Sequence, residues 1–417
     1  MRKSVVAAIQ FEDQLFYIKR SEKLSVFPGY LSFVGGKVDR GENLKEALYR
    51  EIHEELGLNL NDSIVESIEP WAIAITPDFN PYRFETHFYR VVVNKRPDFI
   101  FNGEIKEGLW LSHKEFYKLF DQGEIITIPP IKILTDKINS PEFLGHLEID
   151  FDNEIPILES LKNLFVLFPR SNTFPPASRT NCFVIGKEDS IIVDPSPCDE
   201  NEYGKLKRLL AQFKPRSIFL THHHRDHIEK ANLLAKEFNI PIYSSLDTKE
   251  RIEKRWNANY FDEITWKEAF EGMKLGEWLG EELHVVAVPG HDEGQLMIMD
   301  SKKRFAIVSD LIQTIGTVVV GDEEGDMTKY FLSMEKVISL NPKVIFPSHG
   351  IGLGGVWKIK QTLSHRKQRE KVIKELYLEG RSEDEILAII YADLPKELIK
   401  YAKKTISCHL DRIKTLL

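Results

Sequence analysis

Residues 217–227 read SIFLTHHHRDH: an apolar strand-like run that ends in a turn crowded with histidines. One histidine at a strand end is ordinary. His222, His224, Asp226 and His227 together are not, because burying those rings and that carboxylate without a cation is costly. Imidazoles two residues apart can converge from such a turn onto a metal ion. The same rhythm recurs along the chain. SIIVDP (190–195) closes at Asp194, LHVVAVPGH (283–291) at His291, RFAIVSD (304–310) at Asp310 and VIFPSH (344–349) at His349. NCFVIG (181–186) is a further strand-like run. Helical stretches such as EYGKLKRLLAQF (202–213) and IEKANLLAKEF (228–238) lie between several of them. Strands alternating with helices predict layered α/β packing.

The pattern H-x-H-x-D-H, followed in order by His291, Asp310 and His349, resembles the metallo-β-lactamase superfamily over about residues 160–355. The resemblance implies an αββα sandwich with a binuclear site at one sheet edge. His222, His224 and His291 would hold one ion. Asp226, His227 and His349 would hold the second, Asp310 would bridge them and Asp194 would support the loop. Two Zn²⁺ (or Mn²⁺ or Fe) ions in such a site lower the pKa of a water toward neutrality. His223, between ligands, is expected to point away. Two positions depart from the family pattern. Ser309 stands where the family often has Gly before the bridging aspartate, and Asp292 follows the third histidine where Thr or Ser is common. Neither removes a ligand.

A second constellation lies upstream, in GKVDRGENLKEALYREIHEELGL (36–58). At about 100° per residue, Glu51, Glu54 and Glu55 share an arc of about 100° on one helix face. Like charges at these spacings cost a few tenths of a kcal/mol per pair. They are harmless on a solvated face and useful where a divalent ion bridges them, and oxygen-only donors suit Mg²⁺ or Mn²⁺.

The full spacing matches the Nudix box, G-x5-E-x7-R-E-U-x-E-E-x-G-U, at Gly36, Glu42, Arg50, Glu51, Ile52, Glu54, Glu55, Gly57 and Leu58. This resemblance to Nudix hydrolases covers about residues 1–145. It implies an α/β/α sandwich with a mixed sheet. Glu51, Glu54 and Glu55 would bind the metal with help from the Gly36 carbonyl, and Glu51 would double as base. Arg50 would orient a glutamate by a charge-assisted hydrogen bond. The substrate class is a nucleotide-linked diphosphate. The run WAIAITPDFNPYRFETHFY (71–89) is similar to the Nudix branch that includes coenzyme A diphosphatases. A strand pair with a proline-containing turn accounts for it equally well.

After Gly355 the rhythm changes to three helices: Lys358–Glu379, closed by Gly380, one opened by a Ser382/Glu385 capping box, and a third over Leu394–Leu417. This stretch holds 10 Lys and 4 Arg against 6 Glu and 3 Asp, +5, while the rest of the chain carries −13. With GDMTKYFLSM (325–334), it is similar to the superfamily branch of β-lactamase-like protein 2, an endoribonuclease with a winged-helix-like tail. That implies Arg366, Lys367 and Arg369 facing a phosphate-bearing substrate such as single-stranded RNA. Against it, Trp357, Tyr377, Tyr391 and Tyr401 are scattered rather than clustered. A helical cap packed on the core is the plainer reading.

The chain therefore reads as three parts: 1–150, 160–355 and 356–417, with acidic LEIDFDNEIP (147–156) linking the first two. The 417 residues carry a net charge of −8, 42% hydrophobic and 29% charged residues, which excludes a disordered chain. Three scattered cysteines, Cys182, Cys198 and Cys408, exclude a disulfide framework. With no leader-like or membrane-spanning run, the expected location is the cytoplasm. The leading functional expectation is a bifunctional metallohydrolase whose second site cleaves RNA. The alternatives are a glyoxalase-II-like acyl-CoA thioesterase paired with a coenzyme A diphosphatase, and a Nudix domain that senses nucleotide and regulates its neighbour.

Overall fold

The computed structural model describes every residue except 78–82, 141, 148–154 and 322. The turn of the 71–89 run and most of the acidic linker thus lie outside the described residues. The chain divides into two compact units, Met1–Glu154 with Leu158–Lys162, and Ile155–Ile157 with Asn163–Leu417. The helices expected as a separate third part belong to the second unit.

In the first unit Arg2–Phe11 and Gln14–Arg20 form a hairpin. Arg2–Phe11 also pairs in parallel with Phe84–Val93, which gives the sheet its mixed character. Val65–Ile75 lies antiparallel to Phe84–Val93, so the 71–89 run is a strand pair where it is described. One face of the sheet is covered by the helix Leu44–Leu56, whose Ala47, Leu48, Ile52 and Leu56 pack on Val5, Ala7 and Ile9. The other face is covered by His113–Asp121 and Pro129–Asp136. Each fully buried Ile or Leu contributes about 1.5–3 kcal/mol of this clamping.

The second unit is a four-layer αββα sandwich. One sheet contains, in order, Trp266–Glu268, Ile242–Ser244, Pro215–Phe219, Ser190–Val193, Cys182–Ile185 and Leu164–Leu167. The other contains Lys274–Trp278, Glu281–Ala287, Leu296–Asp300, Phe305–Ser309, Val344–Pro347 and Leu353–Gly354. Phe183 of the first sheet meets Phe346 of the second, ring centroids 6.0 Å apart. Helices such as Glu200–Ala211 and Ala231–Phe238 cover the first sheet, and Met327–Leu340 and Trp357–Leu378 cover the second. Ser190–Val193 runs parallel to Pro215–Phe219, and Phe305–Ser309 runs parallel to Val344–Pro347. Their carboxyl ends therefore emerge at one edge, where open α/β sheets place their ligands.

From Trp357 to Leu417 the chain is three α-helices, Trp357–Leu378, Glu383–Ile390 and Ile399–Leu416, with a 3₁₀ turn at Lys396–Leu398. No strand occurs there, so the expected winged-helix character is reduced to its helices. They share a cluster of Ile373, Ile386, Ala402, Ile406, Leu410 and Ile413, while Ile359, Leu363 and Cys408 join the core beneath the second sheet. Among the described residues, no helix is long and apolar enough to cross a membrane.

Candidate metal centres

The carboxylate helix is built locally. Asn43 caps it by accepting from the N–H groups of Lys45 and Glu46, both at 3.0 Å, while Glu46 reaches back to the Asn43 N–H. Gly57, at φ 69°, closes it in the left-handed region that glycine adopts without a Cβ penalty. Arg50 organises the acids. Its guanidinium holds Glu42 by two bonds of 2.9 Å, donates to Glu51 at 2.9 Å and to Glu54 at 3.2 Å, and takes the Lys37 carbonyl at 3.0 Å. Glu51 lies directly against Gly36: a Cβ there would stand 2.5 Å from its carboxylate. Glu55 is buried and accepts from the Gly35 N–H at 3.1 Å. Burial pushes its carboxyl up to about 7, opposed by that N–H and by the charge of Arg20. Burial raises Glu51 as well, with Arg50 opposing.

The structure thus brings Gly36, Arg50, Glu51, Glu54 and Glu55 to one helix face. The three glutamates do not close into a tight trio. Among the described residues, every acid or histidine group whose donor atoms all lie within 4.8 Å belongs to the second centre. Sequence reasoning missed Arg20 and Glu104, whose charges act on Glu55. Neither sits in a motif, and only the sheet brings them to the helix.

At the second centre the donors arrive from separate strand ends. His222, His224 and His291 form one group, Asp226, His227 and His349 another, and Asp310 joins His222 and His227 in a third. Each ring is aimed from behind. His227 Nδ1 is 2.8 Å from Asp194 Oδ2, His291 Nδ1 is 2.7 Å from the Val319 carbonyl, and His349 Nδ1 is 3.0 Å from the Arg179 carbonyl. His222 Nδ1 faces the hydroxyls of Thr221 at 3.0 Å and Ser309 at 3.4 Å. These four rings therefore present Nε2 inward. His224 turns the other way: its Nδ1 lies 3.0 Å from His222 Nε2 and 3.1 Å from His291 Nε2. Its Nε2 faces Glu324 Oε1 at 3.5 Å. Such supports fix tautomer and orientation in metal sites.

The donor set fits cations. His227 Nε2 and Asp310 Oδ1 are buried and have no hydrogen-bond partner, a condition that buried polar atoms rarely tolerate. The charge balance points the same way. Burial would push Asp226 and Asp310 up, yet His227 and His349 hold both carboxyls well below their usual range. Conversely, burial would lower His349, but Asp310 and Asp226 raise it to about 10. The cluster calls for positive charge, and soft or borderline ions suit its imidazoles.

The two departures from the family pattern have physical accounts. Ser309 sits at φ 52°, where a non-glycine residue is strained by about 1–2 kcal/mol. Its hydroxyl compensates by meeting Thr221 Oγ1 at 2.8 Å and His222 Nδ1. Asp292 is buried beside His223, Oδ2 to Nδ1 at 2.5 Å, and that ring groups with His224 and Glu324 rather than with either ligand set above. Arg255 and Glu324 lie beyond it. Glu324, Thr180 and Gln313 were not anticipated. Thr180 donates to Asp226 at 3.2 Å and Gln313 to Asp310 at 3.4 Å.

The tail residues behave differently from expectation. Arg366 does not face substrate: it is 3% exposed, donates to the Val318 carbonyl and stacks on Tyr330, 4.9 Å from the ring centroid. It braces the segment whose next carbonyl aims His291. Arg369 donates to the Tyr391 hydroxyl at 2.9 Å, and Lys367 pairs with Glu335 at 2.6 Å. The three cations are directed to separate protein partners rather than to one ligand.

Both centres lie within stretches that match known families. The NUDIX domain model matches residues 1–129, and the Metallo-beta-lactamase superfamily model matches residues 175–349. A nucleoside triphosphatase NudI from Salmonella arizonae is 31% identical over 122 residues, 28% of this chain and 84% of its own length. A beta-lactamase-like protein 2 homolog from Drosophila melanogaster is 25% identical over 251 residues, 56% of this chain and 82% of its own. A crystal structure of a beta-lactamase domain protein from Burkholderia ambifaria superposes with TM-score 0.54 at 17% identity, covering 63% of this chain and 88% of that one. The chain belongs to the NUDIX family through its first 129 residues and is a metal-dependent hydrolase whose residues 175–349 match the metallo-β-lactamase superfamily model.

Proposed function

We propose that the histidine centre hydrolyses phosphodiester bonds of single-stranded RNA and that the carboxylate helix hydrolyses a phosphoanhydride in a nucleotide. The observation that carries the first part is a pair of buried atoms without a hydrogen bond, His227 Nε2 and Asp310 Oδ1, inside a converging donor set. His222, His224 and His291 would hold one transition-metal ion, Zn²⁺ by preference. Asp226, His227 and His349 would hold the other, with Asp310 shared. Bound there, the ions supply Lewis acidity that activates water and offsets phosphate charge. The chain's own contribution is orientation. Asp194, Val319, Arg179 and Glu324 keep the imidazoles fixed, and the Thr180 hydroxyl orients Asp226 toward His349, 3.3 Å away.

At the helix, Glu51, Glu54 and Glu55 would hold Mg²⁺ or Mn²⁺, with the Gly36 carbonyl beside Glu51. Arg50 keeps Glu51 and Glu54 on one side and anchors the helix to the preceding loop through Glu42 and Lys37. Similarity to a nucleoside triphosphatase supports a nucleotide as substrate. The intact glutamate set weighs against a domain that only binds nucleotide.

RNA is favoured over an acyl thioester by the similarity to beta-lactamase-like protein 2 homologs and by the tail's net charge of +5. The test is a hydrolysis screen of the intact, metal-loaded chain against short single-stranded RNA, acyl-CoA thioesters and nucleoside triphosphates. Asp226→Ala is expected to abolish RNA cleavage alone, and Glu54→Gln nucleotide cleavage alone. Rapid thioester hydrolysis with no RNA cleavage would replace the RNA reading by a thioesterase.

A further inference from the structure

The loop between Leu164–Leu167 and Cys182–Ile185 touches the histidine centre at its base. Thr180 donates to Asp226, and the Arg179 carbonyl faces His349. The base is closed by Ser171 N–H to the Ser178 carbonyl at 3.2 Å and by a 2.7 Å bond between the Ser171 and Thr180 hydroxyls. A second loop rims the same centre. Gln313 reaches Asp310 and the Val319 carbonyl faces His291. The two loops meet: a Cβ at Gly316 would lie 3.3 Å from Pro176 Cδ. The second loop also meets the tail, for a Cβ at Gly321 would lie 2.8 Å from Lys404 Cβ.

Where these loops and the tail come together, Phe174 rests on Tyr401, ring centroids 4.7 Å apart and planes at 59°. Phe174 remains 60% exposed. An aromatic ring placed only to clamp the loop would gain more by being covered. Lys400 and Lys404 lie over Tyr401, 4.8 Å and 5.9 Å from its centroid. An aromatic pair with Phe174 exposed and Tyr401 half-buried, bordered by cations at the rim of the centre proposed to cleave phosphodiesters, presents the Phe174 π-face for a base and positive charge for the neighbouring phosphates. Both rings lie outside residues 175–349, the span matched by the superfamily model.

We propose that Phe174 and Tyr401, flanked by Lys400 and Lys404, form a stacking platform for the bases of single-stranded RNA beside the histidine centre. The proposal rests on the RNA reading of that centre. It recovers, across more than 200 residues, an aromatic cluster that the tail sequence by itself lacks.

The test uses the full, zinc-loaded chain with a short single-stranded oligoribonucleotide as substrate and a base-free oligomer of sugar phosphates as competitive inhibitor. Phe174→Ala and Tyr401→Ala are each expected to raise KM for the RNA roughly tenfold, the value of losing one stacked base. Zinc content, kcat, thermal stability and the inhibition constant of the base-free oligomer are expected to hold, and Tyr401→Phe to restore wild-type KM. Lys400→Ala is expected to lower the log–log salt slope by about 0.7. If the wild type cleaves RNA and both alanine variants cleave it with unchanged KM, the platform is wrong while the RNA reading stands. If the variants weaken RNA and the base-free oligomer alike, or lose zinc, the ring pair is a structural clamp and the platform is equally wrong. If the wild type cleaves no RNA, the reading of the centre fails and the platform fails with it.

Discussion

The carboxylate helix and the histidine centre both gather cation donors, but from opposite kinds of connectivity. Glu42, Arg50, Glu51, Glu54 and Glu55 lie within 14 residues; the period of one helix places the last four together, and Glu42 joins them from the turn before the N-cap through Arg50. One side chain, Arg50, bonds three of the four acids, and the charge of Arg20 acts on the fourth, Glu55. At the histidine centre the donors and supports come from Arg179 to His349. Seven rings and acids there are held by different segments, including the backbone at Arg179 and Val319. A local site is tuned by substitutions on its own helix and leaves the fold alone. A distributed site is coupled to the fold, because each support is also a packing contact between elements.

That contrast can be broken at several points. The largest effect is expected from Asp310→Ala, which removes the acid shared by both donor groups. Elemental analysis should show bound transition metal falling from about two ions per chain, the number such paired sites hold, and phosphodiester hydrolysis should vanish with it. Metal retention by this variant would refute the shared role of Asp310. Next comes Glu54→Gln in the helix. Its side chain is 57% exposed and its pairing with Arg50 is worth under about 1 kcal/mol. Nucleotide hydrolysis should fall by about 100-fold or more, the equivalent of losing several kcal/mol of metal-mediated stabilisation, while the denaturation midpoint barely moves. A large loss of stability would erase the distinction between local and distributed sites.

Supports should matter at the distributed site in a graded way. Asp194→Asn leaves every donor in place but removes the carboxylate behind His227, and metal affinity should drop about 10–100-fold in a chelator competition. Arg366→Ala tests a coupling that no ligand list contains. It takes a buried cation from beneath Tyr330 and the Val318 carbonyl, and should cost about 2–3 kcal/mol in denaturant unfolding, with weaker metal retention through His291. Unchanged stability with weakened RNA binding would instead restore the substrate-facing reading of Arg366.

The smallest effect concerns tail docking. Burial lowers the pKa of His409, opposed by its bond to Glu370 at 2.9 Å and reinforced by Arg366 and Arg369. The folded ring stays neutral where the unfolded ring is protonated, so the unfolded state binds more protons below about pH 6.5, the ordinary value for histidine. Stability from this group is therefore present above that pH and lost as the pH falls. Melting curves of wild type and His409→Gln should converge between pH 7.5 and 5.5. Parallel curves would show that the ring makes no such contribution.

Much of this molecule is legible in sequence because its key residues are marked by short-range rules. Helix period and capping set the carboxylate face: Asn43 and Gly57 bound the helix, and the turn of 100° per residue puts Glu51, Glu54 and Glu55 together whatever packs around them. Strand ends after apolar runs set where His222, His291, Asp310 and His349 fall along the chain. Tertiary structure decided what those rules do not reach. Burial turned Arg366 inward, since the face a helix hides depends on its neighbours and not on its charge. Paired buried acids selected which ring points where, drawing His223 to Asp292 and His224 toward Glu324. The meeting of Phe174 with Tyr401 has no trace in either local pattern, because a contact between distant segments is fixed only when sheet, loop and tail helix have packed against one another.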